Sequence, residues 1–128
     1  MSLRIVQLGS PRATREGTRI GTVRRPPRGV PKQEYAKRDF YDVWLPELAP
    51  SDALVKTART AQDDKAWQTF LRQYRREMAR PEAQHLLQLL SVLSHTADFS
   101  VGCYCENEAH CHRSLLRELF TDLGARFA

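Results

Sequence analysis

Residues 83–93 place apolar side chains around most of a helical circumference, and this pattern constrains the fold more than any other feature of the chain. A helix with one apolar stripe needs a single neighbour, whereas a helix that is apolar on most sides must be covered on several. Pro81 suits the first turn of this helix, because its missing N–H would have no partner there. We therefore expect the helix to be sandwiched between other layers of the protein.

Regular spacing of apolar residues predicts further helices. After the aspartate pair at 63–64, one stripe recurs at helical spacing and is expected to face the core. Its members are Trp67, Phe70, Leu71, Tyr74 and Met78. Ser51 is a natural N-cap for an earlier helix. Gly124 suits the end of a last helix that begins near Cys111.

Short runs of β-branched and apolar residues predict strands over residues 3–8, 18–23 and 99–105. Between them, Trp44 is expected to anchor an aromatic-rich connection in the core. This order of elements indicates an α/β protein with a small mixed sheet of about three to four strands, packed with four to five helices. The 128 residues suit a single-domain sandwich that spans residues 1–128.

The charge of the chain is unevenly distributed. Residues 1–38 hold ten basic and two acidic side chains, a balance of +8, whereas residues 39–128 have a balance of −3. A basic front end is compatible with nucleic-acid phosphates, although no helix-turn-helix, RNP-type or zinc-finger pattern accompanies it. No apolar run is long enough to span a membrane, and we expect a cytoplasmic protein.

All three cysteines lie within nine residues, which argues against a disulfide framework and favours reactivity or metal binding. Cys103 and Cys105, two apart on a predicted strand, are expected to share one face. Cys111 stands at the expected start of the last helix, where the helix dipole lowers a thiol pKa. Candidate catalytic residues are Cys105, Cys111 and His112. Candidate ligands for zinc or another transition metal are Cys103, Cys105, Cys111 and His110.

Four segments together resemble the YeaO-like family, which is catalogued as domain of unknown function 488. The first two are Cys103-x-Cys105-Glu106 followed by Cys111-His112-Arg113-Ser114-Leu115, and the turn Arg25-Pro26-Pro27-Arg28-Gly29. The others are Trp44-Leu45-Pro46-Glu47-Leu48-Ala49-Pro50-Ser51 and Phe70-x3-Tyr74-x2-Glu77. The resemblance covers roughly residues 4–124. It implies a small bacterial protein of α/β fold, without an established activity.

The basic turn and the Cys-His-Arg segment would meet if the strands that precede them were parallel neighbours. Clustered guanidinium groups at one sheet edge need a counter-charge, and arginine forks suit phosphate or carboxylate. We therefore predict a pocket for a small anionic ligand, with Cys105 on its border. The predicted ligand-binding residues are Arg25, Arg28, His112, Arg113 and Ser114.

Three other interpretations stay open at the level of sequence. In the first, the protein is a nucleic-acid-binding module that uses its basic N-terminal third. In the second, it is a metal-binding or thiol-dependent enzyme that uses Cys103, Cys105 and Cys111. In the third, the cysteines only pack. The residues do not decide between an enzyme and a binding protein, and they carry no signal for the oligomeric state.

Overall fold

Four strands form one sheet in a computed structural model that describes residues 1–128. The strands are β1 (Leu3–Gln7), β2 (Thr18–Gly21), β3 (Val43–Trp44) and β4 (Phe99–Cys103). The helices are α1 (Asp52–Thr60), α2 (Asp64–Met78), α3 (Pro81–Leu93) and α4 (Arg113–Asp122). Short 3-10 turns lie at Lys32–Glu34, Pro46–Leu48 and Glu108–His110.

The sheet has the order β1-β4-β2-β3, and every neighbouring pair is parallel. The α/β class is confirmed, with a purely parallel sheet where a mixed one was expected. Phe99 is the register partner of both Leu3 and Thr18, so β4 lies between β1 and β2. Because all strands run the same way, their carboxyl ends open on one edge, where α/β proteins bind ligands.

Helix boundaries follow the capping residues. The Ser51 side chain accepts the Leu54 N–H at the start of α1, and Asp63 accepts the Ala66 N–H at 2.7 Å at the start of α2. Gly124 adopts φ +79° directly after the last helix, a conformation that glycine takes without a steric penalty. None of the helices is long and apolar enough to cross a membrane.

The exposure of side chains confirms the burial predicted for α2 and contradicts the burial predicted for α3. The α2 side chains of Trp67, Phe70, Tyr74 and Met78 are buried, as their spacing predicts. On α3, however, Leu89 is 54% exposed and Val92 is 69% exposed. The expectation of a sandwiched α3 is therefore wrong, because only one face of this helix is covered.

The expected burial of Trp44 is also wrong. This residue lies on the edge strand β3 and is 41% exposed rather than anchored in the core. Its indole N–H donates to the Val23 carbonyl at 2.7 Å, which explains how a large ring is held at the surface.

Close neighbours require glycine at the carboxyl ends of β2 and β4. Gly21 and Gly102 are register partners. A Cβ at Gly21 would lie 2.4 Å from the Tyr41 ring, and one at Gly102 would lie 2.5 Å from the Val6 carbonyl oxygen. The strands end here, so residues 22–29 and 104–112 leave the sheet as loops on the same edge.

Two buried tyrosines provide a matched test of the packing. The Tyr74 hydroxyl donates to the Leu48 carbonyl at 2.5 Å, whereas the Tyr41 hydroxyl has no partner. We expect Tyr74→Phe to lower the free energy of unfolding by about 1–1.5 kcal/mol, and Tyr41→Phe to leave it unchanged or to raise it. Urea denaturation measures both, and equal losses would contradict this account of the two hydroxyls.

Candidate functional site

A cavity of about 380 Å³ opens at the carboxyl edge of the sheet, and we call it the thiol cavity. All three cysteines line it, together with three arginines and two histidines; much of the remaining wall is apolar. Its polar and reactive side chains are Cys103, Cys105, Cys111, Arg24, Arg25, Arg59, His110 and His112. The cavity thus brings together the end of β4, the loop before α4, the basic turn and α1.

Cys103 and Cys105 reach the thiol cavity from different environments. Cys103 is the last residue of β4 and is 2% exposed, whereas Cys105 lies beyond the strand and is exposed. The backbone N–H of Cys105 donates to Cys103 Sγ at 3.4 Å. The two cysteines therefore do not share a strand face as expected, because β4 ends two residues earlier than predicted.

Cys111 is not the activated thiol that its position near a helix suggests. It is 1% exposed and precedes α4, which begins at Arg113. A hydrogen bond with Cys103 favours its thiolate, but hydrogen bonding to Cys105 and burial outweigh it and raise the pKa of Cys111. The expectation of a lowered pKa at Cys111 is wrong.

Cys105 is instead the thiol with the lowered pKa. Hydrogen bonds from Cys103 and Cys111 favour its thiolate most, and the positive charge of Arg113 adds to them. The same hydrogen bonding, together with burial, raises the pKa of Cys103. Among the three, Cys105 therefore combines solvent access with the most stable thiolate, which are the two conditions for thiol reactivity.

His112 is held in one orientation. Its Nε2 lies 2.7 Å from the Thr22 carbonyl oxygen, so this nitrogen is assigned as the proton donor. The other ring nitrogen, Nδ1, then carries a lone pair and lies 3.8 Å from Cys111 Sγ. Removal of the ring from water lowers the pKa of His112 to about 4, so the imidazole is neutral at neutral pH.

Arg113 and Ser114, two predicted ligand contacts, are engaged within the protein. Arg113 is 3% exposed; its Nη2 donates to the Cys105 carbonyl at 2.5 Å and its Nε to Cys111 Sγ at 3.4 Å. Ser114 Oγ donates to the Cys111 carbonyl at 2.9 Å. Neither residue lines the thiol cavity. Arg113 thus joins α4 to the loop of residues 104–112, which we call the cysteine loop.

The basic turn lies beside the cysteine loop, as parallel neighbours would place it. The Tyr104 hydroxyl donates to the Arg25 carbonyl at 2.9 Å and so joins the two segments. The Arg25 side chain is exposed and pairs with Asp52 at 3.2 Å. Arg28 is exposed and does not line the thiol cavity.

Several residues of the thiol cavity carry no local sequence signal. Arg59 supplies one of its three arginines, and Trp67 and Phe70 supply its aromatic wall. The α2 stripe predicts that Trp67 and Phe70 face inward, but periodicity cannot show that this interior opens into a cavity. His110 lies with its ring 5.6 Å from that of Trp67.

Part of the positive charge of residues 1–38 is paired within the protein. Arg12 pairs with Asp39 and Asp42, and Arg19 pairs with Glu16. These two arginines are therefore not free to contact a polyanion, and because the partners of Arg12 lie beyond residue 38, the local balance of +8 overstates the basic surface.

Fold and site together define an α/β protein with a parallel sheet and a thiol-rich cavity at its carboxyl edge. Residues 3–124 match the family described as the active DUF488-N3 subclade, DUF488-N3a. The chain belongs to this family, and the resemblance to the domain of unknown function 488 is confirmed. No curated protein and no solved structure matches the chain.

Proposed function

We propose that the chain binds a small anionic ligand in the thiol cavity. The observation that carries the proposal is the lining itself, which includes Arg24, Arg25 and Arg59 and no carboxylate. The proposal keeps the predicted ligand class and Arg25. It replaces Arg28 and Arg113 as the charged contacts by Arg24 and Arg59.

The three arginines leave the thiol cavity positively charged. Arg24 donates to the carbonyls of Pro50 and Ala49, which orient its guanidinium without neutralising it. Arg25 has a carboxylate partner, but that ion pair is exposed and therefore weak. A phosphate or carboxylate offers the paired acceptor oxygens that an arginine fork binds best.

The walls of the thiol cavity indicate that the ligand also has an apolar part. Trp67, Phe70 and Tyr104 line it, and its volume of about 380 Å³ falls in the range of small-molecule sites. An inorganic anion would make no use of this apolar wall. Phenyl phosphate, which has one ring and one phosphate, is therefore a better probe than inorganic phosphate.

Isothermal titration calorimetry of metal-stripped, desalted protein tests the proposal with both probes. We expect phenyl phosphate to bind more tightly than inorganic phosphate and to be displaced by it. Arg59→Ala should weaken phenyl phosphate binding about tenfold or more, since a hydrogen bond to a charged group contributes roughly 1.5–3 kcal/mol.

The matched control is Lys56→Ala, which removes an exposed positive charge from the same helix but not from the lining of the thiol cavity. Its affinity for phenyl phosphate should stay within about twofold of the wild type, because exposed charges act weakly through solvent. Equal losses in the two variants, or no binding of either probe, would overturn the proposal.

A further inference from the structure

Three ligand atoms for a metal ion converge on one wall of the thiol cavity. The Sγ atoms of Cys103 and Cys111 and a ring nitrogen of His112 all lie within 4.8 Å of one another. Cys111 Sγ and His112 Nδ1 are 3.8 Å apart. Tetrahedral zinc, with bonds of about 2.3 Å to sulfur and 2.0–2.1 Å to nitrogen, holds its ligand atoms roughly 3.5–3.8 Å apart. The group is thus close to the size that the ion requires.

We infer that Cys103, Cys111 and His112 bind a zinc-class divalent transition metal, with a fourth coordination position open to the thiol cavity. All three side chains line that cavity, and we place the fourth position on the cavity side of the group. Sites with three protein ligands and one free position are typical of zinc that acts on a bound water or substrate.

His112 is oriented as a metal-ligating histidine is. Such residues donate their second ring N–H to a carbonyl or carboxylate, which fixes the tautomer and directs the free nitrogen to the ion. Here Nε2 donates to the Thr22 carbonyl at 2.7 Å, and Nδ1 faces Cys111 Sγ. The hydrogen bond to Thr22, the residue after β2, therefore leaves Nδ1 free to bind the ion.

Both sulfur atoms already accept hydrogen bonds of the kind that stabilise a coordinated thiolate. The Cys105 N–H donates to Cys103 Sγ, and Arg113 Nε donates to Cys111 Sγ, each at 3.4 Å. A dication and the Arg113 guanidinium would compensate the two negative sulfurs in this buried place. These contacts assign Arg113 to the outer shell of the site.

The inferred ligand set differs from the one that the sequence suggests. Cys105 and His110 were expected among the ligands, but both are exposed and lie outside the convergent group. The inference also stands apart from the proposed anion binding, which depends on the arginines and is measured on metal-free protein. One can therefore fail without the other.

Titration of reduced, metal-free protein with Co²⁺ tests the site. We expect thiolate-to-cobalt charge-transfer absorption and intense visible bands of a tetrahedral centre, saturating at one equivalent. Cys111→Ser should weaken Co²⁺ binding by more than about 100-fold, because even outer-shell changes cost roughly 10–100-fold. The control, His85→Ala, removes an exposed imidazole of α3 that belongs neither to the thiol cavity nor to the convergent group, and it should bind Co²⁺ as the wild type does.

X-ray absorption of the zinc-loaded wild type keeps the test independent of how the variants fold. We expect a first shell of two sulfurs, one imidazole nitrogen and one further light atom. A shell with three sulfurs, no saturable Co²⁺ binding, or an equal loss in His85→Ala and Cys111→Ser would overturn the inference.

Discussion

Replacing Arg19 by methionine should lower the free energy of unfolding by about 3–5 kcal/mol. Arg19 is completely buried and forms two hydrogen bonds to Glu16, at 2.6 and 3.0 Å. Its Nη1 also donates to the carbonyls of Ser10 and Asp39. The substitution leaves the buried Glu16 carboxylate without its counter-charge and two carbonyls without a donor. Loss of one partner of a buried ion pair is therefore strongly destabilising.

The same ion pair makes stability depend on acid. Burial alone would raise the pKa of Glu16, but hydrogen bonds from Arg19 and Ser100 lower it from 4.5 to about 2. The carboxylate thus stabilises the folded state above pH 4.5, by about 3 kcal/mol, and this contribution is lost as the pH falls towards 2. In Arg19→Met, burial raises the pKa of Glu16. A fall in pH should therefore lower the free energy of unfolding of the variant by less than that of the wild type.

Urea denaturation between pH 7 and pH 3 measures both effects. Arg75→Met is the matched control, because Arg75 pairs with Glu118 at the surface, with 47% and 65% of the two side chains exposed. This variant should lie within about 1 kcal/mol of the wild type and keep its pH dependence. A loss in Arg19→Met no larger than in Arg75→Met would contradict a buried ion pair.

The regular elements could be predicted from sequence because their signals are local. Caps such as Ser51 and Asp63, and the spacing from Trp67 to Met78, depend on residues within a few turns of each other. Exposure of α3 could not be predicted in this way. Its apolar circumference shows what could be buried, but the number of neighbours that cover it is set by the whole fold.

Charged side chains in the interior are hidden from sequence for the same reason. Arg19 and Arg113 look like ordinary surface arginines, yet both are buried. Glu16 and Cys111, which they contact, lie only three and two positions away. Ser100, a partner of Glu16, lies 84 positions away from it. The parallel β2–β4 pair brings the basic turn and the loop of residues 104–112 to one sheet edge, as expected, whereas the position of Arg59 depends on where α1 packs.

Arg113→Met should lower the free energy of unfolding by roughly 3 kcal/mol and make Cys105 a weaker acid. The buried guanidinium holds the Cys105 carbonyl and Cys111 Sγ, so its removal leaves an unsatisfied carbonyl beside α4. It also removes a positive charge that stabilises the Cys105 thiolate. The pH midpoint for alkylation of Cys105 by iodoacetamide, followed by mass spectrometry, should therefore move upward.

Arg117→Met is the matched control for this prediction. Arg117 lies one turn further along α4 and also holds the cysteine loop, through two hydrogen bonds to Glu108 at 2.6 and 2.9 Å. Its side chain is 44% exposed, so we expect a loss of at most about 1 kcal/mol and an unchanged Cys105 midpoint. If both variants lost the same stability, or if neither moved the midpoint, Arg113 would not be the residue that fixes the loop and its thiolate.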